Sequence, residues 1–86
     1  MKYALVEIYN INKKNTNIVW EHLCKIIDKN KFEILYYRCQ PGKFDDFPWT
    51  KWESYTEIIM KKRNVIVKKI YNQTEFIKKY FDILLK

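Results

Sequence analysis

Glycine occurs once in this 86-residue chain, at Gly42, and proline twice, at Pro41 and Pro48. Phosphate-cradling loops and dinucleotide fingerprints need several glycines where the backbone meets phosphate, so a lone glycine excludes both. The same scarcity excludes collagen-like and linker-like designs. A calcium loop, which wants alternating oxygen ligands around a glycine, is missing too. Regular elements must therefore dominate, and a composition that is 48% apolar and 17% aromatic gives them a core to bury.

A chain of this length is expected to form one compact domain over residues 1–86, with no linker or disordered tail. No run approaches the ~18 apolar residues of a membrane span, and the first residues lack a signal-peptide layout. The expected setting is the cytoplasm, with reduced thiols, because Cys24 and Cys39 alone do not make a secreted disulfide framework. With His22 as the single histidine there are too few ligands for a Cys/His zinc site, and no metal or cofactor is expected.

Residues 3–11 read as a strand with Ala4, Val6 and Ile8 on one face. After a polar loop at 12–17, Thr16 or Asn17 is placed to cap a helix running from about Ile18 to Lys29. Its apolar stripe would be Val19, Trp20, Leu23, Cys24, Ile26 and Ile27, and Asn30 would stop it. Residues 32–40 read as a second strand, ended by Pro41-Gly42. The spans 53–61 and 65–71 read as a hairpin turning about Lys62, Arg63 and Asn64; the rival is a helix from Trp49 to Lys62. Asn72-Gln73-Thr74-Glu75 has capping-box spacing and opens a last helix striped by Phe76, Ile77, Tyr80, Phe81 and Leu84. The expected architecture is α+β, in the order β-α-β-β-β-α: a mainly antiparallel sheet with both helices packed on one face.

A net charge of +7 is unevenly spread, for residues 61–86 carry eight basic groups against Glu75 and Asp82. Part of this basicity has a bland source, because Lys, Asn, Ile, Tyr and Phe, all with AT-rich codons, fill more than half of the chain. Lysine also lacks the guanidinium fork suited to phosphate and base recognition, and only Arg38 and Arg63 are arginines. The basic set is Lys61, Lys62, Arg63, Lys68 and Lys69, with Lys78 and Lys79 beyond and Tyr55 and Tyr71 on flanking strand faces. Basic groups beside aromatics on a sheet hold single-stranded nucleic acids, whereas lysines on an edge strand also serve simply to block aggregation.

Catalytic sets are not apparent. In a helix Cys24 would lie about 200° around from His22, so the two could not form a dyad. Asp45-Asp46 reads as a solvated turn beside Lys43 and Lys51. The segment with most character is 41–52, where Phe44, Phe47, Trp49 and Trp52 stand close together. Exposed, they would anchor a partner with large contact area at little rotamer cost; buried, they would form a lid on the core. The stretch from the first helix to the last has the element order of double-stranded-RNA-binding domains. Its last helix, however, opens NQTEFIKK where that family has a lysine-rich start, so no family is assigned.

The expected function is that of a non-catalytic binding protein, not an enzyme. It would engage a protein or nucleoprotein complex with an acidic surface through Phe44, Phe47, Trp49 and Trp52 and the basic set. Its composition resembles that of virus- or phage-type inhibitors of host or defence factors, an analogy only. The alternative is a sequence-tolerant protein binding RNA or single-stranded DNA. No membrane partner is expected.

Overall fold

The computed structural model describes residues 1–9, 18–41, 48–59 and 64–85, side chains excepted at 18–19 and 39–41. Among the described residues six strands, β1 (Lys2–Tyr9), β2 (Ile18–Asp28), β3 (Lys31–Pro41), β4 (Thr50–Lys51), β5 (Glu57–Ile59) and β6 (Val65–Asn72), precede two short helices, α1 (Gln73–Lys79) and α2 (Phe81–Leu84). Every pairing is antiparallel; the order is β4-β3-β2-β1-β6, with β5 on the same outer side of β3 as β4. The expected small α+β domain with a mainly antiparallel sheet is what forms. Among the described residues no helix is long and apolar enough to cross a membrane.

The first helix is not there. Residues 18–28 form β2, at the centre of the sheet between β1 and β3. Helical spacing misled because both faces of this strand are covered. Cys24, His22 and Trp20 lie opposite Ala4, Val6 and Ile8, while Leu23 and Glu21 lie opposite Leu5 and Glu7. A strand buried on both sides shows no two-residue alternation, and its β-branched and aromatic residues favour the extended form. Asn30 does not stop a helix; it belongs to the tight β2–β3 turn, where the Asp28 carboxylate accepts from the Asn30 and Lys31 N–H groups at 2.8 and 3.1 Å.

The hairpin over 53–71 is not there either, and neither is its helical rival. β5 pairs with β3 and β6 pairs with β1, so these strands lie at opposite edges. Between β4 and β5 the chain bulges away over Trp52–Thr56 and is tied back by Trp52 N–H to Leu35 O and Ile34 N–H to Thr56 O.

Two cores share the sheet. One gathers Ala4, Val6, Cys24, Phe32 and Ile34, with Trp52, Ile58, Val65 and Val67 packed against it from both edges. The other gathers Leu23, Tyr71, Phe76 and Tyr80, with Tyr3, Leu5, Leu35, Trp49, Ile83 and Leu84 around it. The helices thus cover the second face alone. An extra residue in β3, Leu35, breaks the simple alternation: Leu23 faces Tyr36 but Cys24 faces Ile34. Leu35 and Tyr36 therefore both join the helix side, and the bulge turns Tyr37 to the other.

The capping box forms as its spacing predicts. The Asn72 side chain accepts from Glu75 N–H at 2.8 Å and the Glu75 carboxylate accepts from Asn72 N–H at 3.1 Å. The helix it opens is interrupted at Tyr80, whose N–H donates to Phe76 O. Phe76 and Tyr80 are buried as the stripe predicts, but Ile77 and Phe81 stay half exposed.

Candidate binding surface

Basic side chains meet where β6 runs into α1. Lys69 places its ammonium 5.2 Å from the ring centroid of Tyr71, and Lys68 reaches Glu7 at 3.7 Å. Nearly two helical turns beyond the cap, Lys78 and Lys79 occupy the last turn of α1, where cations also complement the helix dipole. Lys69, Tyr71, Glu75, Lys78 and Lys79 line a hollow of about 300 Å³. Glu75, the one carboxylate among the described lining residues, accepts from the Asn72 N–H and keeps its charge, so three ammonium groups against one carboxylate leave the hollow net cationic. β6 is also the sheet's terminal strand: among the described residues nothing pairs with its outer side.

Trp49 and Trp52 do not form one patch. Each is half buried, and they sit on opposite faces of the sheet. Trp49 lies under the Arg38 guanidinium at 4.3 Å and meets Tyr80 edge-on at 6.1 Å. Arg38 is held by Glu21, Nε to Oε1 at 2.7 Å, a largely buried ion pair. Trp52 donates its indole N–H to Thr56 Oγ1 at 2.9 Å and packs edge-on against Tyr37 at 5.1 Å. Two hollows of about 370 Å³ each, sharing Tyr36 and Lys51, run beside Trp49 and Trp52 respectively. Phe44, Phe47, Lys61, Lys62 and Arg63 lie outside the described residues.

His22 and Cys24 require a correction. On a strand, residues two apart share a face, so the two are neighbours beneath Trp52 rather than opposed around a helix. Both are buried. Burial pushes the His22 pKa down, only partly offset by its Nδ1–H donating to Trp20 O at 3.2 Å. Burial, with Glu33 adding to it, pushes the Cys24 thiol up. Both groups are thus held neutral, the opposite of a thiolate–imidazolium pair. Cys24 is a free thiol. Cys39 stands opposite Trp20, four residues along β2 from it, or about 13 Å, beyond disulfide reach. Among the described residues no three His, Cys, Asp or Glu side chains gather as metal ligands.

Sequence reasoning missed the Glu21–Arg38–Trp49 stack, since the helical reading put Glu21 in solvent. It missed the convergence of Lys69 with Lys78 and Lys79 because that depends on how α1 folds back over β6. The capping box that marks where α1 begins was the available signal. No protein family, curated protein or solved structure matches this chain.

Proposed function

We propose that this chain is a non-catalytic binding protein that engages an acidic protein surface, in the manner of a virus- or phage-type inhibitor, through the β6–α1 edge. One observation carries the reading: Lys69 from the strand and Lys78 and Lys79 from the helix converge on one hollow, outnumbering Glu75, the one carboxylate among its described lining residues. Such a surface attracts acidic partners and repels basic ones, which raises association rate and selectivity. The burial of His22 and Cys24 as neutral groups favours binding over catalysis.

A second reading is binding of RNA or single-stranded DNA, favoured by the ammonium groups of Lys69, Lys78 and Lys79, which suit phosphate; the Tyr71 ring, 3% exposed, is not open to a base. The test is anisotropy with short single- and double-stranded RNA and DNA and with a glutamate-rich peptide, at about 50 and 200 mM salt. Wild type is compared with the variant K69E/K78E/K79E. The proposal expects the peptide to bind and the variant to lose it by at least about tenfold, with nucleic acids falling about 10³ or more across the salt range. Micromolar nucleic-acid binding that survives 200 mM salt would install the second reading. Peptide binding unchanged in the variant would remove this edge from the function.

A further inference from the structure

The acidic-partner reading leaves open how the partner is gripped, and the backbone of β6 answers that. Tyr9 N–H donates to Asn64 O at 2.9 Å, which marks that pair as hydrogen-bonded. In an antiparallel ladder such pairs alternate with pairs whose N–H and C=O groups point away from each other. Ile66 then bonds to Glu7 and, past the extra residue Lys68, Lys69 to Leu5 and Tyr71 to Tyr3. The groups of Val65, Val67 and Ile70 point outward. Asn72 continues that outward set, and its N–H is already taken from outside the ladder by Glu75.

The outer edge therefore offers donors and acceptors at Val65, Val67 and Ile70, the last interval lengthened by the extra residue Lys68, and it is flanked by distinct chemistry on its two faces. On the helix face stand Lys69, Lys78 and Lys79. On the other stands Ile70, 52% exposed. A second copy of this chain fits poorly, because pairing β6 with itself would set Lys68 and Lys69 against their own like charges. An extended segment that alternates acidic and apolar residues fits on all three counts.

Resting on the reading above, we propose that β6 binds its partner by strand addition: an extended acidic segment pairs with the outer edge of β6, carboxylates toward Lys69, Lys78 and Lys79 and apolar side chains toward Ile70. Backbone hydrogen bonds supply the grip and the lysines supply the choice of partner.

The probe is a ten-residue peptide alternating Glu and Val with blocked termini. It is set against a block-sequence isomer of equal charge and a version N-methylated at alternate residues. Binding is followed by anisotropy, and amide hydrogen exchange is read at Val65, Val67 and Ile70. The proposal expects the alternating peptide to bind about tenfold or more tighter than either control, and to slow exchange at these three amides. V67P gives a second check, since proline is tolerated where an edge N–H faces solvent and removes an outward donor. It should weaken the alternating peptide and leave the block isomer unchanged. If all three peptides bind alike, remain sensitive to K69E/K78E/K79E and protect no β6 amide, strand addition is overturned and the charge reading stands. If none binds, both fall.

Discussion

At the scale of single residues, His22 links pH to stability. Burial lowers its pKa in the native state, so it stays neutral while the unfolded chain takes up a proton near the ordinary value of about 6.5. Stability is then whole above that value and falls with acidification below it, toward the depressed native pKa. The expected outcome is a urea midpoint lower at about pH 5.5 than at about pH 7.5, with a flatter dependence in His22→Phe, which keeps a ring against Trp52. Equal pH dependence in the two proteins would clear His22 of this role. Nothing in the sequence marked this residue as buried, because a lone histidine at helical spacing among Glu21, Lys25 and Asp28 reads as solvent-facing. Only its register opposite Val6 places it inside.

At the scale of elements, the cap of α1 controls both local stability and the position of two lysines. Asn72→Ala removes the acceptor for Glu75 N–H and is expected to cost about 1 kcal/mol. In a domain of this size that is a fall of about 4–8 °C in melting temperature, measurable by far-UV circular dichroism. The same variant should weaken binding of an acidic peptide, because Lys78 and Lys79 are then less firmly set; peptide affinity equal to wild type would show that α1 holds its angle without the cap. This element was legible in sequence because Asn72 and Glu75 are three residues apart and answer only to each other. The two failures share the opposite cause. β2 depends on neighbours from both sides, and the partners of β5 and β6 lie 26 and 59 residues back in the chain, at Phe32 and Glu7 for Ile58 and Ile66. Local pattern carries no record of such pairing. The bulges at Leu35 and Lys68 are similarly silent, since an extra residue is defined only against the opposite strand.

At the scale of the molecule, one sheet serves two cores, and neither can be lost alone. Phe32 and Phe76 are among the largest fully buried side chains, one on each face. Phe32→Ala and Phe76→Ala are each expected to cost about 3–5 kcal/mol, against roughly 4–13 kcal/mol for the whole 86-residue domain. Because β1, β2 and β3 contribute to both cores, each variant should unfold in a single transition when followed by near-UV and far-UV circular dichroism. Two separated transitions would mean the faces melt independently. The antiparallel sheet and the C-terminal helix were expected from the sequence, and the shared sheet was not. A chain with one glycine, rich in apolar residues on both strand faces, gives the same hydrophobic count whether it builds a helix or a doubly covered strand.

The central strand pays for this arrangement in evolutionary freedom. Glu21, His22, Leu23 and Cys24 are four buried residues in succession. A strand with one wet face accepts change at every second position, so that drift can rewrite half of it without touching the fold. Here there is no such free half. Each neighbour is answerable to a different core, and the two polar ones are each tied to another group, Glu21 to Arg38 and His22 to Trp20 O. Sequences related by descent should therefore diverge around this stretch while keeping it as an unbroken block, and the block, more than any surface motif, would be the thread by which distant kin could be traced.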